Sequence, residues 1–345
     1  MRTKFMILVV VLALFTIPAL AQDMMQTPSV TVQDQVSTDG TVTVAEAVSD
    51  GPGWIVIHAD NGEGAPGPVI GFRGLNAGNN TNIAVEIDVA AATPTLFAML
   101  HSDTGVVGEY EFGQVEGADG PVAVDGNVVT PGFTAEIARV HDQFLDMNTV
   151  TATAIVTAQD GWLVIHADGG GQPGPVIGQT FVEAGTNLNV TVDLDAEGVT
   201  STLWPMMHVD TGEAGTYEFG QVEGADGPVA INGVVSTFPI TTGQPTMRVP
   251  DQIVTDTLTA ESVLAEQDGW LVIHADNDGS PGPVIGFAQV FTGTNLNVEV
   301  ELDAEGVTPT LWPMLHVDTG EAGEYEFGQV EGADGPVTVD GNVLV

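Results

Sequence analysis

Three features of the sequence predict an all-β chain: three tandem immunoglobulin-like (Greek-key) β-sandwich domains behind a cleaved signal peptide. The stretch at residues 311–337 is written three times, its earlier copies lying at 96–122 and 203–229. Within it the run Y-E-F-G-Q-V-E-G-A-D-G-P-V is identical in all copies. Between these stretches lie strand-length segments that are continuously apolar, as at 162–167, or alternate with period two, as at 187–194. Pro-Gly-Pro recurs at 66–68, 173–175 and 281–283. Proline lacks the amide a helix needs, so each copy forces a turn. Seven or eight short strands in about 100 residues is the strand count of an immunoglobulin-like sandwich.

Residues 1–21 carry the marks of a secretory signal. Arg2 and Lys4 supply the charged start, residues 5–16 an apolar core, and Ala19-Leu20-Ala21 a small-x-small cleavage site. Without a twin arginine or a cysteine at the cleavage point, export by the general secretory route is expected, to an extracellular location. No later run is long and apolar enough to span a bilayer, so no integral membrane segment is expected in the mature chain.

The repeat register fixes the domains. His58, His166 and His274 follow one another at intervals of 108 residues. A weaker V-x-D-Q element at 32–35, 140–143 and 249–252 extends each unit towards its N-terminus. The units are therefore placed at 29–129, 137–235 and 246–345, with Thr/Pro-rich linkers at 130–136 and 236–246. In the second unit, strands are expected at 150–157, 162–167, 187–194, 202–209, 216–219 and 229–235, with 140–144 as an edge strand.

Charge narrows the partners. The chain has 47 acidic and five basic residues, a formal net charge of −42. Removing the signal removes two of the five basic residues and leaves only Arg73, Arg139 and Arg248, a net −44. Such a surface repels nucleic acid and anionic membranes and attracts cations. There are no cysteines, so each domain must be held by its core.

Candidate chemistry lies in two His-x-Asp pairs per unit. They are His58/Asp60 with His101/Asp103, His166/Asp168 with His208/Asp210, and His274/Asp276 with His316/Asp318. Residues i and i+2 of a strand share a face. That face continues to Met99, Met206 and Met314 on one strand, and to Val56, Val164 and Val272 on the other. If the two strands are neighbours with facing ends, the pairs converge at one end of each sandwich. Imidazole with carboxylate suits zinc or copper(II), and imidazole with thioether suits copper(I). The bland alternative is a set of hydrogen-bonded locks at strand ends. His141 aligns with Gln33 and Pro250 and is expected to face solvent.

Calcium is a weaker reading. Asp276-Asn277-Asp278-Gly279 opens like a calcium loop, but its twelfth position is Phe287. The E-G-A-D-G loops could offer oxygen ligands of their own. Trp204 and Trp312, where the first unit has Phe97, are read as core or as sugar-stacking residues. No catalytic set emerges: there is no G-x-S-x-G, and the pair Glu109/Glu111 is broken by Thr216 in the second unit. The chain is expected not to be an enzyme.

Two resemblances attach to G-x-Y-x-F at 108–112, 215–219 and 323–327. One is the tyrosine corner of immunoglobulin-like sandwiches; the other is the cupredoxin strand, whose cysteine is here Gln114, Gln221 or Gln329, which rules out a blue-copper centre. A longer series, V-I-H-A-D, P-G-P-V-I-G, M-L-H-x-D-T-G-x-x-G-x-Y-E-F and D-G-P-V, resembles the secreted prokaryotic repeat family catalogued as domain of unknown function 7282. That resemblance implies an exported β-sandwich repeat and carries no residue roles. The expected function is a cell-surface, matrix or adhesion module whose partners are surface or matrix components. The alternative is an extracellular binder of a divalent metal (copper, zinc or calcium) through the His-x-Asp pairs.

Overall fold

The computed structural model describes residues 27–345, and the predicted signal at 1–21 lies outside them. Regular structure among the described residues is strand, apart from three one-turn 3-10 segments at Val89–Ala91, Ala196–Gly198 and Ala304–Gly306. The first repeat runs β1 (Ser29–Val32), β2 (Gln35–Ser37), β3 (Thr41–Ser49), β4 (Gly53–Asp60), β5 (Pro66–Leu75), β6 (Gly78–Glu86), β7 (Thr95–Ser102), β8 (Ala123–Val124), β9 (Asn127–Val128) and β10 (Gly132–Arg139).

Two sheets face each other across the core, β1-β3-β6 and β5-β4-β7-β10. Val42 and Val44 of β3, Val85 of β6, Ile55 and Ile57 of β4 and Leu96 and Leu100 of β7 are all fully buried between them. Each strand alternates, and its apolar set turns inward. The glutamine of each V-x-D-Q element ties the edge. Gln35, Gln143 and Gln252 donate to the carbonyls of Thr43, Thr151 and Thr259 and accept from the amides of the same threonines.

The segment expected as the first linker is a strand. Residues Gly132–Thr134 of β10 pair with Phe97–Thr95 of β7. Its end, Ile137–Arg139, pairs with Val156–Ala154 of β11 (Thr149–Thr157) in the second repeat. Phe133, Ala135 and Ile137 point into the first core, whereas Ala138 and Val140 enter the second. Consecutive residues of a strand face opposite ways, so one strand can serve both cores. The Thr/Pro content at 130–136 hid this alternation. Pro131 stands just ahead of the strand, where a missing amide breaks no ladder bond.

The second repeat continues through β12 (Gly161–Asp168), β13 (Pro173–Val182), β14 (Gly185–Asp193) and β15 (Thr202–Val209). Its junction with the third repeat is built differently. Ile240–Thr241 pairs with β15, and Thr246–Arg248 pairs with Thr257–Ala265 of the third repeat. Residues 242–245, with Gly243 at φ 85 and a proline at 245, interrupt the run.

The strand expected at 216–219 does not form. Residues 210–227 fold as linked turns, as do 103–120 and 318–335 in the other repeats. The Tyr-x-Phe alternation reads as a strand, but the flanking left-handed glycines bend the chain into a lid. At Gly105 (φ 94) an added Cβ would fall on the Glu111 carboxylate, so glycine is required twice over. The tyrosine-corner reading fails with the strand. The Tyr110 and Tyr325 hydroxyls are buried without a hydrogen-bond partner, and that of Tyr217 lies 3.4 Å from a ring nitrogen of His208.

Candidate metal site

In each repeat the sheet that carries the histidines, four-stranded in the first two repeats and three-stranded in the third, is buried on both faces at its centre. In β4 the residues facing away from the sandwich core include Trp54, Val56 and His58, and in β7 they include Phe97, Met99 and His101. The register sets Trp54 opposite His101 and Val56 opposite Met99. The same pairs recur as Trp162/His208 with Val164/Met206, and as Trp270/His316 with Val272/Met314. Although they lie outside the core, His58 is 4% and His101 0% exposed.

The lid buries them. The Tyr110 ring lies 5.4 Å from Trp54 and stacks 4.1 Å from Phe72, and Phe112 meets His101 edge-on at 4.7 Å. Phe219 and Phe327 make the same contact with His208 and His316 at 4.6 Å. One buried aspartate organises each lid. Asp119 accepts from the amides of Thr104 and Glu111 at 2.8 and 2.6 Å, its own amide donates to the Thr104 hydroxyl, and its carbonyl receives His101. Asp226 and Asp334 repeat the pattern.

The sequence expectation that two histidines converge is met by this geometry, but the place differs. They meet on the outer sheet face beneath the lid, not at one end of the sandwich. Ring centres are 5.8 Å apart for His58/His101 and His166/His208, and 5.9 Å for His274/His316. All six rings are oriented through Nδ1. Those of His58, His166 and His274 donate to the carbonyls of Gly67, Gly174 and Gly282, each at 2.8 Å. Those of His101, His208 and His316 donate to Asp119, Asp226 and Asp334 at 2.7, 2.6 and 2.8 Å.

A carbonyl only accepts, so the proton sits on Nδ1 and, in a neutral ring, Nε2 carries a lone pair. The rings of His101, His208 and His316 are neutral. Burial, helped by the neighbouring histidine and opposed by the carbonyl bond, lowers each pKa to about 4. His58 is lowered too, by burial. Five of the six Nε2 atoms are buried with no hydrogen-bond partner, and the sixth, on His208, lies 3.3 Å from the Met206 sulfur.

The six aspartates do not join the histidines. Asp60 accepts from the amides of Gly62 and Gly64 in the turn after its strand. Asp168 and Asp276 hold the following turns and accept the indole N–H of Trp204 and Trp312 at 2.9 and 2.8 Å. Asp103, Asp210 and Asp318 accept from Gly108, Gly215 and Gly323 inside the lids. Among the described residues no group of three or more His, Cys, Asp or Glu side chains is placed to hold a metal ion. Trp204 and Trp312 are thus half-buried turn braces, neither core nor open stacking platforms. The carboxylates of the E-G-A-D-G aspartates are occupied by backbone amides, which leaves no calcium cage there.

His141 corrects a further expectation. It is 6% exposed, and burial with the charges of Arg139 and Arg248 lowers its pKa to about 4. The lid residues were overlooked as part of a site. Their signal was the identical run Y-E-F-G-Q-V-E-G-A-D-G-P-V, where surrounding positions vary between copies.

Similarity to known proteins agrees with the three-fold division. The family described as "Domain of unknown function (DUF7282)" matches at residues 28–136, 137–241 and 245–345. No curated protein matches the chain. Among solved structures, Salmonella alpha-2-macroglobulin reacted with methylamine is 11% identical, with a TM-score of 0.18 over 85% of this chain and 22% of that one. Native Escherichia coli alpha-2-macroglobulin spanning domains MG0-NIE-MG1 is also 11% identical, with a TM-score of 0.18 over 84% and 95%. The chain spans about a fifth of the length of the Salmonella protein, and at these scores the likeness carries no functional inference.

Proposed function

From a chain that belongs to the domain of unknown function 7282 family in three tandem copies, we propose an exported metal-binding protein that holds one ion per repeat between its paired histidines. The supporting observation is the geometry of the Nε2 lone pairs. An ion bonded at about 2.0 Å lies about 3.1 Å from the imidazole centre, so two rings sharing it have centres at most about 6.2 Å apart. The three pairs stand at 5.8 to 5.9 Å. Each ring is oriented by a carbonyl bond on its far nitrogen, the arrangement that fixes metal-ligating histidines elsewhere. Leaving buried acceptors unpaired costs about 1–3 kcal/mol each, which an ion would offset.

The test is metal titration of the full chain against a variant carrying His58→Ala, His166→Ala and His274→Ala. Three equivalents bound by the wild type and none by a folded variant are expected. Equal, weak binding by both would leave the histidines as structural locks.

A second reading, the cell-surface or matrix spacer, is favoured by β10, whose pairing with both β7 and β11 stiffens the first junction. It is compatible with metal binding. Export is supported by the apolar segment and Ala-x-Ala site near the start of the sequence, and the absence of nucleic-acid partners by the net charge of −42.

A further inference from the structure

The proposed site leaves the ion unspecified, and the third donor decides it. Met99, Met206 and Met314 occupy the same face as the histidines, two residues before His101, His208 and His316, and are only 7–8% exposed. The register puts each methionine beside the valine two positions before His58, His166 or His274, so the methionine occupies the pairing step between the two histidines. In the second repeat the Met206 sulfur lies 3.3 Å from His208 Nε2.

The donor set is therefore two imidazole lone pairs and a thioether. One oxygen of each of Asp103, Asp210 and Asp318 is buried without a partner, but among the described residues no carboxylate is placed with the histidine pair to complete a metal-holding group. Such a set is soft and carries no charge. A divalent ion would bring two positive charges into a pocket walled by Trp54, Tyr110 and Phe112 with no anionic ligand to offset them. Zinc favours four ligands and calcium six to eight oxygens, neither of which is on offer. Copper(I) brings a single charge, accepts thioether sulfur and imidazole, and has no need of oxygen.

Resting on the metal-binding reading, we infer that the ion is copper(I), bound in each repeat by two histidine Nε2 atoms and one methionine Sδ. The ligand sets are His58, Met99 and His101; His166, Met206 and His208; and His274, Met314 and His316. The lid, organised by Asp119, Asp226 and Asp334, closes over the ion and keeps water and dioxygen from it.

The experiment is anaerobic competition for copper(I) between the full-length protein and bicinchoninate, with zinc(II) and calcium(II) titrated separately. A variant with Met99→Leu, Met206→Leu and Met314→Leu keeps the volume apolar, and circular dichroism checks that it folds. Expected are three copper(I) equivalents for the wild type, a copper–sulfur distance in its X-ray absorption spectrum, and at least ten-fold weaker copper(I) binding by the leucine variant. Three equivalents of zinc with no competition for copper(I) would overturn this assignment and leave the histidine site standing. Undiminished copper(I) affinity in the folded leucine variant would overturn the methionine ligand. Failure of the wild type to bind any of the three metals would overturn both readings together.

Discussion

Replacing Asp334 by asparagine isolates the role of the lid anchor. The Asp334 carboxylate is fully buried and accepts from the amides of Thr319 at 2.8 Å and Glu326 at 2.6 Å. Its φ of 50° is left-handed, a conformation that asparagine also adopts, so the backbone is not newly strained. The amide retains one acceptor but turns an NH2 group towards the other donor. One charge-assisted bond, worth about 1.5–3 kcal/mol, is lost and the remaining one is weakened, for a total of about 2–4 kcal/mol. Because the anchor closes a loop on the outside of the sheet, the cost should fall on local opening of residues 318–336 rather than on the sandwich core. Hydrogen exchange of the full chain reads this directly. Protection in that lid should drop roughly 30- to 1,000-fold, while the lids at 103–120 and 210–227 serve as internal controls. Asp340→Asn, at an exposed residue with φ 51°, should change nothing. Unaltered protection at 318–336 in the Asp334 variant would refute the anchoring role.

Acid should destabilise the metal-free protein between pH 6.5 and about 4. The unfolded histidines take up protons through 6.5, whereas native His101, His208 and His316 resist until about 4. Stability is therefore present above 6.5 and falls with pH by about 3 kcal/mol per group across that window. A urea midpoint measured in 0.5 M salt and independent of pH between 7 and 4.5 would contradict this. Salt should stabilise the chain, because a net charge of −42 repels itself most strongly when compact. The thermal midpoint is expected to rise from low salt to 0.5 M, and a flat response would show the charges to be too dispersed to matter.

The strands that carry the site were legible because their signal is local. W-L-V-I ahead of His-Ala-Asp is continuously apolar, and the two-residue period already placed His and Met on one face. What covers that face was not legible, since periodicity reports burial and not its agent. Tyr217 and Phe219 alternate as strand residues do, yet they belong to the lid, held by Asp226 across eight or nine residues of turns. His141 failed for a related reason. Its counterparts Gln33 and Pro250 are polar or irregular, but only the second copy stands where both junctions meet. The methionines were visible as neighbours of the histidines. Their weight as ligands emerged only once the aspartates proved to be tied into turns.

The two junctions between repeats differ in what transmits load. Across the first, a backbone ladder runs unbroken from β5 through β10 to β14, so a pull along the chain must shear main-chain bonds. The second is joined by side chains around Asp142 and by the ion pair of Arg139 with Glu261 at 2.9 Å, with residues 242–245 interrupting the strand. Backbone bonds are indifferent to ionic strength; ion pairs are not. The chain is thus a stiff two-repeat bar with a third unit on a charge-held joint, its elasticity set by the surrounding salt at one end and by the peptide ladder at the other.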